Sequence, residues 1–174
     1  MCIPPVNESP TKHFQIIEDL LVNRSDLLIK KKPIYREYSG MDQEELMQTV
    51  ESFKSDSGAI LAGVMGGRLA EGIDYPETSL ELAVIVGIPY PSPGVRQNAL
   101  QHYYDISFNG RGWKFAVESP AVRKLLQAAG RVVRSETDRG FIVIADSRTG
   151  RFSEYIPDLE RSDDIVSEIN VVLT

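Results

Sequence analysis

One cysteine, one tryptophan and two histidines in 174 residues leave little material for several kinds of chemistry. The single thiol, Cys2, excludes an intrachain disulfide framework and any multi-cysteine metal site, a four-cysteine iron–sulfur cluster included. No apolar run approaches the roughly 20 residues that a membrane-spanning helix needs. Met1-Cys2-Ile3-Pro4-Pro5 has neither the basic nor the apolar region of a signal peptide, so the default expectation is a cytoplasmic protein, nuclear in a eukaryote, with no membrane partner. No glycine stands directly before a lysine, so the phosphate-cradling loop G-x-x-x-x-G-K-[ST] is missing from the sequence. No Asp-Glu pair occurs in the sequence either. Positive charge is in deficit: the net charge is -6 and the pI near 5.0, which argues against nonspecific duplex binding through overall charge. The only cationic run, Lys30-Lys31-Lys32 ahead of Pro33, reads as a solvated loop.

What is present is ordinary globular material, 42% apolar and 25% charged, enough for one core and hence one domain over residues 1–174. Three short, nearly all-apolar runs stand out, at residues 58–64, 82–88 and 141–145. Such runs suit strands of a parallel sheet buried on both faces. Helical spacing appears at His13–Val22 and at Val95–Tyr104. Asp42 with Glu45 three residues on forms a capping box that opens a helix to about Phe53, and Ile34–Tyr38 suits a short strand. Strands alternating with helices predict an α/β fold, a mostly parallel sheet flanked by helices. The Pro- and Gly-rich stretch 89–112 is an excursion from that sheet, and Ile165–Leu173 suits a strand or a helix. The chain opens on a two-residue stub ahead of two prolines, so its first strand is expected to be truncated.

Two segments carry candidate chemistry. Ser119-Pro120 is a suitable helix start, with serine capping and proline in the first turn. In the helix that follows, Leu125, Leu126, Ala129, Val132 and Val133 fall on one side, and Arg123, Gln127, Gly130, Arg131 and Arg134 on the other. A glycine inside a helix costs about 1 kcal/mol relative to alanine, which is accepted where a ligand or another backbone must approach. The paired arginines then read as guanidinium forks aimed at phosphate, against the alternative of a solvated face. The second segment, Gly66-Gly67-Arg68-Leu69-Ala70-Glu71-Gly72-Ile73-Asp74, directly follows an apolar run. Open α/β sheets bind ligands beyond the carboxyl ends of their strands, which is where this turn falls.

In order, GGRLAEGIDY, AVIVGIPYPSP and QAAGRVVRSETDRGFIVIADSR resemble the second motor domain of superfamily-two helicases of the XPD and DinG type. The likeness is greater to XPD and runs from Gly58 to Arg148, more weakly back through the helix at 42–53. It implies a three-layer RecA-like domain, with motif five at 66–74 and motif six at 127–134. It also implies an ATP site lying between two such domains. By position, Arg131 and Arg134 would be arginine fingers on the phosphates, with Gln127 and Gly130 completing that face. Glu71, Gly72 and Asp74 would couple the nucleotide to single-stranded DNA, and Arg68 would contact the DNA backbone; Arg96 and Arg111 would line the DNA path, against the alternative of solvated arginines.

The departures from the family are as informative. Without a P-loop, ATP and Mg²⁺ would be held mainly by a first motor domain supplied in cis or in trans, and this chain alone would not hydrolyse ATP. The implied whole is an ATP-dependent 5′-to-3′ DNA helicase in DNA repair. The competing reading is a stand-alone module, derived from a helicase half, that binds nucleic acid or protein. An unrelated α/β phosphate-binding protein would need its own anion loop, for which Gly63–Gly67 followed by Arg68 is poorly suited.

Overall fold

The computed structural model describes residues 2–3, 32–38, 40–73, 75, 80–133, 140–156, 158–165 and 167. The helix expected at His13–Val22 and most of the segment 165–173 lie outside the described residues. The chain forms two compact units, Met1–Ile73 and Asp74–Thr174. Among the described residues no helix is long and apolar enough to cross a membrane.

In the first unit, strand β1 (Cys2–Ile3) and strand β2 (Ile34–Arg36) both pair in parallel with β3 (Ile60–Val64). The register sets Ile34 against Ile60 and Cys2 against Gly63. Helix α1 (Gln43–Ser55) connects β2 to β3 and starts as the sequence predicts, with the Asp42 carboxylate accepting the Glu45 N–H at 2.8 Å. Leu46, Val50 and Phe53 recur at helical spacing and are buried, and the Phe53 ring meets that of Tyr35 edge-on at 6.4 Å. A four-residue helix, α2 (Arg68–Glu71), follows β3.

In the second unit, β4 (Leu82–Val86) and β5 (Phe141–Ala145) pair in parallel along their whole length, Leu82 against Phe141 through Val86 against Ala145. They are less buried than their all-apolar sequences predict. Ile85 is fully enclosed, but Leu82 and Ile142 stay 44% and 38% exposed. The excursion after β4 carries helix α3 (Val95–Ser107), one turn longer than expected, which buries none of its side chains.

The α-helix begins at Ser119 with Pro120 in its first turn, as expected, but not as a fresh start. Helical turns run on from Gly112, pass through a wider π turn at Lys114–Glu118 and enter α4 (Ser119–Ala129) without a break. Ser119 does not cap; its hydroxyl donates to the Lys114 carbonyl at 2.8 Å. Proline is tolerated here because the turn is wide and because another donor substitutes for its missing N–H. The Gln97 side-chain amide donates at 2.6 Å to the carbonyl of Ala116, four residues before Pro120. Ala121, Val122, Leu125 and Ala128 form the buried stripe of α4, which packs on β4. Leu126 and Val133, assigned to that stripe by periodicity, are 45% and 39% exposed. The ideal 100° wheel places the apolar arc about one residue too far along.

Candidate functional site

The arginine segment sits where α4 stops. Gly130 was expected inside the helix; instead it ends it, with φ −65° and ψ 0°, and its N–H donates to the Leu126 carbonyl at 2.9 Å. That φ suits any residue. An added Cβ would approach only to 3.3 Å of the Leu126 carbonyl and 3.8 Å of the Gln127 carbonyl, a matter of small adjustment. Neither backbone strain nor packing within the described chain demands glycine here. The chain then tightens, the Arg131 and Val132 amides donating to the Ala128 and Ala129 carbonyls at 3.2 and 3.0 Å. Gln127 and Gly130, one helical turn apart, are exposed, and Arg131 beside them is half-buried. These three residues form one edge. Arg134, the second expected finger, lies outside the described residues.

In the other unit, β3 ends in a tight turn. The Gly67 N–H donates to the Val64 carbonyl at 2.8 Å, and Gly66 between them takes φ +84°, a conformation that glycine adopts at no steric cost. α2 follows and closes with the Gly72 N–H on the Arg68 carbonyl at 2.7 Å, so Glu71 and Gly72 are successive residues at its end. Asp74 lies outside the described residues. Arg68, expected to face DNA, directs donors to its own chain. Nη2 donates to the Met41 carbonyl at 2.6 Å and Nε lies 3.6 Å from the Glu37 carboxylate, although the side chain remains 40% exposed.

Arg96 and Arg111 are exposed but do not converge. The Gly112 N–H on Asp105 Oδ1 at 2.7 Å fixes Arg111 beside the last turns of α3, whereas Arg96 is in its first. Along the helix axis that separates them by about 14 Å at 1.5 Å per residue.

A further cluster was not singled out from the sequence. The ladder pair Val86–Ala145 sets the carboxyl ends of β4 and β5 side by side, and Tyr90 and Asp146 lie just beyond them. The Arg148 guanidinium forks onto Asp146, Nε to Oδ1 at 2.9 Å and Nη2 to Oδ2 at 2.6 Å, while the Arg148 N–H donates to Oδ1 at 2.9 Å. These bonds hold the Asp146 carboxyl below its usual range, and the carboxylate in turn raises Arg148. The fork places the cation 5.5 Å from the Tyr90 ring, which lies 6.0 Å from Trp113 and 6.4 Å from the buried Phe152. Trp113 is half-exposed, so an oriented cation and two aromatic faces border one surface. Proximity to strand ends was the available signal for Tyr90 and Arg148; Trp113 joins them only through the tertiary fold.

A cleft of about 1000 Å³ also opens along β5. Asp146, Asp158, Glu160 and Asp163 outweigh Arg161 on its walls, the wrong sign for a phosphate. Among the described residues no group of three or more His, Cys, Asp or Glu is placed to hold a metal ion.

The sequence pattern of the helicase C-terminal domain family matches residues 12–161, across the boundary between the two units. A probable ATP-dependent helicase of Methanocaldococcus jannaschii is 36% identical over 128 residues, covering 69% of this chain and 19% of that protein. The ATP-dependent helicase DinG of Mycobacterium tuberculosis is 35% identical over 114 residues, covering 62% and 16%. This chain thus spans less than a fifth of the curated relatives it matches. In fold, a solved XPD helicase superposes with a TM-score of 0.62 at 24% identity, over 90% of this chain and 26% of that one.

Proposed function

The chain belongs to the helicase C-terminal domain family, and from that premise we propose that it is the second motor half of an ATP-dependent DNA helicase of the XPD and DinG kind. In this reading it acts on ATP that a separate P-loop half holds. The observation that carries the reading is the edge at the end of α4. Gln127, Gly130 and Arg131 sit together there, with a glycine that packing among the described residues does not require. An outside group approaching Gly130 supplies the missing reason.

In phosphoryl transfer, charge spreads over the oxygens of the transferred group, and catalysis consists mostly of positioning and charge stabilisation. Arg131 and Arg134 are assigned as donors to that charge, an effect worth about 10³ to 10⁵ in rate for fingers of this type. Gln127 would orient the phosphates, and Gly130 would let them come close to backbone. Mg²⁺ and most nucleotide contacts fall to the P-loop half. The turn 66–74, with Glu71, Gly72 and Asp74, is assigned to coupling between nucleotide and single-stranded DNA. Arg68, Arg96 and Arg111 are assigned to the DNA backbone. To these we add Tyr90, Trp113 and Arg148, since stacking on aromatic faces beside an arginine suits single-stranded bases of any sequence.

That last cluster also favours the second reading, a stand-alone nucleic-acid-binding module, because it would bind a strand without nucleotide. Reconstitution separates the two. The chain alone should hydrolyse no ATP, and fused to or mixed with a P-loop half it should give DNA-stimulated turnover. Turnover by the pure chain would refute the half-motor reading, and inert mixtures that still bind oligonucleotide would favour the binding module.

A further inference from the structure

We propose that Glu37 is the positioning residue of the DNA-coupling turn; the proposal rests on the assignment of 66–74 above. Glu37 directly follows β2, and its own N–H donates to the Ala62 carbonyl at 3.1 Å, which extends the β2–β3 ladder by one step. Its backbone is therefore fixed to the strand that leads into the turn. Its carboxylate is largely buried and accepts two amides at the start of α2, Arg68 N–H at 3.2 Å and Leu69 N–H at 3.4 Å. The same carboxylate lies 3.6 Å from Arg68 Nε. One side chain thus ties strand, turn and Arg68 together.

Gly67 makes room for it. A Cβ at residue 67 would come within 2.7 Å of Glu37 Oε2 and 2.9 Å of the Val64 carbonyl, and the second contact is with backbone that cannot swing aside. The amides that begin α2 are already occupied by an internal anion, so DNA phosphate does not bind there. Glu37 instead sets the direction in which Arg68 and the rest of the turn face.

Charge and positioning predict opposite signs. Removing a carboxylate beside a nucleic-acid path should by electrostatics alone tighten binding. If Glu37 positions the turn, its loss weakens binding. The test uses the full chain and a fluorescein-labelled oligothymidylate, with amide hydrogen exchange and thermal unfolding recorded in parallel. For Glu37→Ala we expect tenfold or greater loss of protection at the Arg68 and Leu69 amides, unchanged protection in α1, and several-fold weaker oligonucleotide binding. Glu37→Gln, which keeps the length and one acceptor, should restore part of both, and it carries the test should the alanine variant unfold. Unchanged exchange at 68 and 69, tighter DNA binding, or lost protection with unchanged DNA affinity would each overturn the proposal. If the wild-type chain does not bind the oligonucleotide, the DNA assignment fails instead, and the exchange data still decide whether Glu37 holds the turn.

Discussion

Replacing Arg148 by alanine separates a surface ornament from a binding contact. Half the side chain is exposed, so its ion pair with Asp146 contributes at most about 1 kcal/mol after screening by solvent. Asp146 is itself largely buried, yet it keeps the N–H of residue 148 as a donor, so the carboxylate is not orphaned. Total destabilisation should therefore be modest, about 1 to 2 kcal/mol. For single-stranded DNA the expectation is larger. Loss of one cation beside the Tyr90 and Trp113 faces should cost about 1 to 2 kcal/mol, roughly a 5- to 30-fold rise in Kd. If the guanidinium neutralises a phosphate, the slope of log K against log salt should also fall by about 0.7. Fluorescence anisotropy across a salt series reads both quantities, and urea unfolding reads the stability. A variant that loses the predicted stability but binds with unchanged affinity and salt slope would refute the assignment and leave Arg148 a structural cap on Asp146.

Two further perturbations address the helix and the strand ends. Leu125→Ala should destabilise the chain by about 2 to 5 kcal/mol because the side chain is fully buried, whereas Leu126→Ala, nearly half-exposed, should cost under about 1 kcal/mol; urea midpoints showing equal effects would contradict the buried stripe of α4. Acid should release the Asp146–Arg148 pair. Because the folded state lowers the Asp146 pKa, the pair's contribution is complete above the ordinary carboxylate value near 4 and is lost as pH falls through the lowered one. Asp146→Asn should abolish that part of the acid dependence of unfolding, and an unchanged profile would show that other carboxylates set it.

How much of this was readable in the chain follows from how local each cause is. Asp42 and Glu45 are three residues apart, so the start of α1 could be read directly. The apolar runs at 58–64, 82–88 and 141–145 identified the parallel strands Ile60–Val64, Leu82–Val86 and Phe141–Ala145, because short unbroken apolar runs suit strands of a parallel sheet. The π turn before α4 could not be read, since the donor that excuses Pro120 is Gln97, on another helix. Leu126 and Val133 were misplaced because a 3.6-residue wheel cannot tell the centre of an apolar arc from its rim. Glu37 gave no local signal: it acts on amides 31 and 32 residues away. The Tyr90, Trp113 and Arg148 cluster needed the pairing of β4 with β5 and the path of the excursion between them.

The central claim is that the edge at the end of α4 completes an ATP site held by another domain. Its most direct test is single-turnover ATP hydrolysis by the chain joined to a P-loop half, comparing Arg131→Ala with wild type at saturating nucleotide and DNA. A loss of about 10³-fold or more in the single-turnover rate constant, with nucleotide and DNA affinity nearly unchanged, is what a donor acting on the transition state predicts. Turnover within a few-fold of wild type would contradict the account and leave Arg131 a half-buried residue beyond the end of α4 with no part in catalysis.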